Sequence, residues 1–160
     1  MKILIVSDSH GRIANFIKVM DKVQPIDMLI HLGDFEGHED EIEMFANCET
    51  HFVKGNNDYF TDLDREKIIT IGSYQALLCH GHHYGVTFGT ERIKSIARGM
   101  GASIVMFGHT HRPLIDLQDD VIAINPGSIT QPRQEGRIPS YIVMEIDRYG
   151  LAHYTLNYLT

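Results

Sequence analysis

A chain of 160 residues with 43% apolar and 22% charged residues can bury one substantial core, and without repeats or low-complexity stretches it is neither fibrous nor disordered. Lys plus Arg number 14 against 21 Asp plus Glu, a formal net charge of -7 that argues against a dedicated nucleic-acid binder. No run approaches a membrane span, Ile3–Val6 is too short for the apolar part of a signal peptide, and Cys48 and Cys79 lack metal or redox spacing. The expectation is therefore one cytosolic domain over residues 1–160 with reduced thiols.

The apolar pattern alternates between strands and helices. Lys2–Val6 reads as a buried strand that ends in Ser7-Asp8-Ser9-His10-Gly11, where Asp8 and His10 can face one site across a turn. Arg12–Val23 has helical spacing through Ile13, Phe16, Ile17, Met20 and Val23. Met28–Leu32 is the next buried strand and ends in Gly33-Asp34; His31 points back into it and reads as structural. Glu39–Ala46 is a short acidic helix with Ile42, Phe45 and Ala46 turned inward.

His51–Val53 is a third strand, followed by Gly55-Asn56-Asn57-Asp58, which has turn chemistry. Lys67–Ile71 and Tyr74–Cys79 flank Gly72-Ser73 as a β-hairpin, and the second strand ends in His80-Gly81-His82-His83. Thr90–Met100 is an amphipathic helix with Ile93, Ile96, Ala97 and Met100 inward. Ile104–Phe107 is short, apolar and β-branched, as a buried parallel strand would be, and stops at Gly108 with His109 and His111 beyond it. Val121–Ile124 leads into Asn125-Pro126-Gly127-Ser128, Gln131–Pro139 reads as an exposed loop, and Tyr141–Ile146 and Ala152–Tyr158 are two late strands.

Five apolar runs thus end in Asp8 and His10, Asp34, Asn56, His80, and His109 and His111: two carboxylates, one amide and four imidazoles at strand ends, where open α/β sheets bind ligands. Such a mixed N/O set suits Mn²⁺, Zn²⁺, Fe or Ni²⁺ better than Mg²⁺ or Ca²⁺, which prefer oxygen shells. Seven donors are too many for one tetrahedral ion, whereas two ions sharing a carboxylate fit the count. Two ions about 3.5–4 Å apart can activate water and clamp a phosphoryl group during in-line attack.

Asp8-X-His10, Gly33-Asp34, Gly55-Asn56, His80 and Gly108-His109-X-His111, in this order, resemble the five-block signature of calcineurin-like metallophosphoesterases. The short length, with SDSHG, GHTH and NPGS, resembles the small YfcE-like phosphodiesterase branch, from Ile3 to about Ser128. The resemblance implies an α/β fold of two β-sheets packed face to face and flanked by α-helices. It also implies a metal-dependent phosphodiesterase acting on a small phosphodiester through a metal-bridging hydroxide. One ion would take Asp8, His10, Asp34 and His111, and the other Asp34, Asn56, His80 and His109; Mn²⁺ is the first expectation, with Ni²⁺, Zn²⁺ or Fe as alternatives. The resemblance thus makes Asp34 the shared ligand, a role that suits an anionic oxygen, which can bridge two cations where a neutral imidazole cannot.

One position departs from the pattern. Many members carry a histidine after the asparagine, which stabilises the transition state or protonates the leaving group; here Asn57 stands there, with Asp58 following. An amide donates hydrogen bonds but delivers no proton at neutral pH. Asn57, Asp58 and His82 are therefore the candidate catalytic residues beside the metal ligands, His82 either as a substitute acid or as a partner that orients a ligand. Two other readings stay open. One is a non-catalytic interaction scaffold like the retromer subunit of the same branch. The other, weaker one is a nuclease gripping a backbone with Arg112, Arg133 and Arg137, against which stand the acidic balance and the lack of an aromatic stacking platform. No membrane partner is expected, and a homo-oligomer is left open.

Overall fold

The computed structural model describes residues 1–160. Ten strands form two five-stranded sheets. The first runs in the order β10-β9-β1-β2-β3, from β1 (Lys2–Val6), β2 (Met28–His31), β3 (Glu49–Phe52), β9 (Ser140–Ile146) and β10 (Ala152–Tyr158). The second runs β4-β5-β6-β8-β7, from β4 (Glu66–Ile71), β5 (Tyr74–Cys79), β6 (Ile104–Met106), β7 (Pro113–Asp116) and β8 (Ile122–Pro126). At the centre of each sheet three strands are parallel: β1, β2 and β3 in one, β5, β6 and β8 in the other. Parallel neighbours need crossovers, and helices supply three of them. α1 (Ala14–Val23) links β1 to β2, α2 (Glu39–Ala46) links β2 to β3, and α3 (Glu91–Gly99) links β5 to β6.

Side-chain alternation along the strands makes the layers. In β1, Ile3 and Ile5 join Met28, Ile30, Leu78, Ile104 and Met106 in the core between the sheets. The alternate residues Leu4 and Val6 face outward under α1 and α2, against Phe16, Val19, Met20 and Ile42. In the second sheet Leu77, Cys79 and Val105 face outward under Ile93 and Ala97 of α3. Central strands covered on both faces must be apolar at every position, which is why KILIV and its counterparts read as continuous runs. The expected two-sheet sandwich flanked by helices is therefore the fold.

Several boundaries differ from the expectation. β3 starts at Glu49 and ends at Phe52, β6 ends at Met106, and α1 starts at Ala14 rather than Arg12. Phe45 is 39% exposed because α2 covers its sheet only through Ile42 and Ala46. Met100 is 42% exposed, lying past the last turn of α3 rather than on its buried face. β7 is unannounced by the sequence: a proline-initiated edge strand whose Leu114 faces solvent has no alternating pattern to read. No helix is long and apolar enough to cross a membrane.

Candidate metal centre

The parallel strands of both sheets direct their carboxyl ends to one edge, and the turns that leave them carry the polar residues. The geometry of these turns is unusual. Asp8, His10, Asp34, His109 and His111 all sit at positive φ, between 45° and 68°. Non-glycine residues rarely adopt this region, Asp, Asn and His being the least reluctant, and strain of this kind gathers at functional sites. The turns also approach one another closely. A Cβ on Gly55 would lie 2.1 Å from Asp34 Oδ1, and one on Gly108 would lie 2.0 Å from Ser7 Oγ, so only glycine fits at either position.

The converging side chains are held from behind. Asp8 Oδ2 accepts hydrogen bonds from Ser7 Oγ at 2.6 Å and the His109 amide at 3.1 Å, leaving Oδ1 to face the centre. The Nδ1–H of His80 donates to the Leu32 carbonyl, that of His111 to the Gln131 carbonyl, and that of His10 to the Glu36 carboxylate, each at 2.7 Å. All three acceptors can only accept. Each ring therefore turns a lone pair on Nε2 inward, the arrangement by which a metal-binding histidine is oriented.

Inside this shell the donors crowd together. His111 Nε2 lies 3.1 Å from Asp8 Oδ1 and 3.2 Å from His10 Nε2. Asp34 Oδ2 is 3.4 Å from His80 Nε2 and 3.9 Å from His10 Nε2, placing one carboxylate oxygen between the two rings. His109 Nδ1 faces Asn56 Oδ1 at 3.1 Å, and the His109 ring stands 5.2 Å from that of His80. Two triads, Asp8-His10-His111 and Asp8-Asp34-His80, are compact enough for each to hold a cation.

Electrostatics point the same way. Buried Asp8 Oδ1 and His80 Nε2 have no hydrogen-bond partner, and two imidazole lone pairs 3.2 Å apart repel unless a positive charge lies between them. For Asp34, burial opposes ionisation, but His80 and the two donors of Asn57 outweigh it and hold the carboxyl far below its usual range. With no metal bound, burial opposes the charge on His80, yet Asp34 and Asp8 raise its pKa to about 9, so a bound ion would take the place of the Nε2 proton. The pocket demands positive charge. A divalent cation satisfies orphaned oxygen and nitrogen donors together, so the residues present fit a metal centre.

The other expected residues occupy distinct places. Asn57 donates to Asp34 through its backbone N–H (2.9 Å to Oδ1) and its side-chain amide (2.8 Å to Oδ2). Asp58 is buried and accepts from the amides of Asp34, Glu36 and Gly55 at 2.7, 2.7 and 2.8 Å. Both its oxygens are engaged with the backbone, so it stitches the Gly33–Glu36 turn to the Gly55–Asp58 turn. His82 sits over the rings of His80 and His109, at 5.4 and 6.0 Å; burial, then its histidine neighbours, push it down to about 4. His31 is the structural histidine expected. It is buried, with Nδ1 accepting from the Gly33 amide and Nε2 donating to Ser9 Oγ.

Glu36 escaped the sequence reading, although it follows Asp34 by two residues and is the anchor of His10. The role of Asn125-Pro126-Gly127-Ser128 was also unforeseen. Asn125 donates to the Gly108 carbonyl and Ser128 to the Asp8 carbonyl, bracing two ligand turns from below.

Residues 1–149 match the model of the calcineurin-like phosphoesterase superfamily domain, and the chain belongs to that family. A probable metallophosphoesterase of Bacillus subtilis, YsnB, is 33% identical over 150 residues, covering 92% of this chain and 85% of its own. A phosphodiesterase of Methanocaldococcus jannaschii is 32% identical over 145 residues, covering 79% and 83%. Among solved structures, a predicted phosphoesterase from Streptococcus pneumoniae superposes with a TM-score of 0.79 at 28% identity, over 98% of this chain and 97% of that one. Vps29 of Entamoeba histolytica complexed with Zn²⁺ superposes with a TM-score of 0.80 at 22% identity, over 99% of each chain.

Proposed function

We propose that the protein is a phosphodiesterase that binds two divalent metal ions and hydrolyses a small phosphodiester. The observation that carries this reading is the set of three histidines whose Nδ1–H groups are anchored, turning Nε2 lone pairs onto two buried carboxylates. Asp8, His10, Asp34 and His111 would hold one ion and Asp34, Asn56, His80 and His109 the other, with Mn²⁺ the first candidate and Ni²⁺, Zn²⁺ or Fe the alternatives. Ions in such a pair supply Lewis acidity to a phosphoryl oxygen and lower the pKa of water. In this reading Asp34 would be the shared ligand: its Oδ2 lies 3.9 Å from His10 Nε2 and 3.4 Å from His80 Nε2, while Asp8, common to the two compact triads, would ligate beside it through Oδ1.

The chain's own groups then divide the remaining work. The Asn57 amide orients Asp34 and can donate to a phosphoryl oxygen, but it carries no transferable proton at neutral pH. Asp58 is a positioning residue, since backbone amides take both its oxygens. His82, held down to about 4, is neutral at pH 7; it suits ligand orientation better than acid catalysis. The free thiols of Cys48 and Cys79 support a cytosolic location.

The likeness to Vps29 keeps a second reading in view, a protein-binding scaffold without catalysis. At 22% identity that likeness speaks for the fold alone, and every donor of the metal set is present here. The test is metal-stripped protein reconstituted with Mn²⁺ and given bis(p-nitrophenyl) phosphate and p-nitrophenyl phosphate. Turnover of the diester in preference to the monoester, with roughly two ions bound per chain, is expected. A stoichiometry that never exceeds one sinks the dinuclear assignment. Full loading without hydrolysis of any diester favours the scaffold.

A further inference from the structure

The turn that carries His109 and His111 also forms one wall of a second cavity, of about 560 Å³, which Thr110 lines from between the two histidines. The charged residues of its lining are Arg112 and Arg133, and no Asp or Glu faces them. Both are tied to the ligand turn through their backbones. Arg112 follows His111 directly, with its amide donating to Thr110 Oγ1 at 3.2 Å, and the Arg133 amide donates to the His111 carbonyl at 2.9 Å. Both residues are exposed, and neither guanidinium makes a hydrogen bond or ion pair within the chain. An acidic chain has carboxylates to spare for such groups, as the fork of Arg98 on Asp120 shows, yet none is placed in this cavity. A second part of the wall has the same sign. Gly89 and Thr90, which precede α3, line the cavity, and no side chain caps the first turn of that helix. The positive end of the helix dipole therefore lies against it, and Glu91, the one acid of that turn, does not line it.

Two guanidinium groups on one cavity repel each other, and an anion between them turns that repulsion into attraction. A carboxylate is matched by one planar fork. A phosphate monoester, with about two negative charges and three acceptor oxygens, is matched by two. The volume is that of a small-molecule site rather than of a groove that tracks a polymer, and the net charge of -7 opposes a polyanion. A diester held by the candidate metal ligands has two ester arms, and this cavity adjoins those ligands at Thr110. We propose that the cavity binds a terminal phosphate on one arm, so that the substrate is a small diester carrying a second, monoester phosphate. The proposal rests on the phosphodiesterase reading and names its substrate class. Arg112 and Arg133 hold the terminal phosphate and take no part in the hydrolysis itself.

The experiment compares p-nitrophenyl diesters whose other arm is an alkyl chain of two to six carbons ending in either a phosphate or a methoxy group. The leaving group is the same throughout. For the Mn²⁺-loaded protein, kcat/KM for the phosphorylated ester should exceed that of its methoxy partner by about tenfold or more at the chain length that spans the two sites. That ratio should fall towards one in Arg112→Gln and in Arg133→Gln. Equal values at every length overturn the proposal. So does a ratio that survives both substitutions, including one preserved by an equal loss on both esters, because the anion is then recognised elsewhere. Hydrolysis of an oligothymidylate faster than of any phosphorylated ester, and lost in the same variants, assigns the arginines to a nucleic-acid backbone and overturns the small-molecule class. A second readout needs no catalysis. Inorganic phosphate added to Zn²⁺-loaded protein should shift the guanidinium Nε–H NMR signals of Arg112 and Arg133, and changing either arginine to Gln should weaken the response of the other. If no diester is hydrolysed, the phosphodiesterase reading fails, and this titration alone decides the cavity; the absence of any shift overturns it.

Discussion

His31 and Asn57 are both polar, both lie close to the ligand cluster, and do opposite things. His31 is packed between Phe35 and Phe52, and burial pushes it down to about 4. An unfolded imidazole takes its proton near 6.5, whereas the native one resists until about 4. The native state is therefore favoured in full above pH 6.5 and loses that advantage as pH falls towards 4. Across this window wild type should lose about 3 kcal/mol relative to His31→Gln, read from urea denaturation at stepped pH with metal removed. Asn57 instead holds Asp34 and is the residue proposed to face the reaction. With no acid at this position, rate should depend steeply on leaving-group pKa, nitrophenyl esters turning over far faster than alkyl esters of similar size. Asn57→His should flatten that dependence, with gains of up to about 10²–10⁴-fold for poor leaving groups. A wild-type slope already near zero, measured over a leaving-group series with one metal, counts against this. The seven candidate donors were legible in the sequence because each follows an apolar run, but Glu36 was not. Its role is set by where the His10 ring arrives from another strand, which no local pattern records.

Among the elements, the central strands and the three helices could be read in advance because burial on two faces or one stripe leaves a periodic trace. β7 left none, since an edge strand pairs through its backbone and needs no apolar alternation. Phe45 and Met100 were misread for the complementary reason: helical spacing gives a face, but the neighbouring element decides how wide a stripe is covered. Turn packing was equally invisible in sequence. Gly108 ends the β6 segment against the β1 turn, and a Cβ there would lie 2.0 Å from Ser7 Oγ and 2.8 Å from Asp8 Oδ2, all in the buried interior. Gly108→Ala should therefore destabilise by about 1–3 kcal/mol or more and weaken metal binding together with it. Gly99, at the end of α3, has nothing within 4 Å of an added Cβ. Gly99→Ala should be neutral or stabilising by about 0.5–1 kcal/mol. Thermal melts of the two variants, with and without Mn²⁺, check the contrast; equal losses would mean that the close approach of the β1 and β6 turns is not what selects glycine.

At the scale of the whole molecule, the candidate ligands come from both halves of the sandwich. Asp8, His10, Asp34 and Asn56 follow β1, β2 and β3 of the first sheet, while His80, His109 and His111 follow β5 and β6 of the second. Ions bound between them would cross-link the sheets at one edge, where otherwise only polar turns and the Asn125–Ser128 brace connect them. Buried Asp8 and Asp34 also place two carboxylates together in a chain of net charge -7, a repulsion that divalent cations relieve. Metal should accordingly stabilise the whole fold against unfolding rather than one loop. A free ion concentration of 100 times Kd adds about 2.7 kcal/mol, which for a chain of this size raises Tm by roughly 5–10 °C. Asp34→Asn removes the carboxylate proposed as the shared ligand, so it should abolish most of that rise and most activity together. Protection from amide hydrogen exchange should increase in β1, β2, β5 and β6 alike on adding Mn²⁺. An increase confined to the turns, with Tm unchanged, would mean that the ions bind a preformed rim and do not hold the two sheets together.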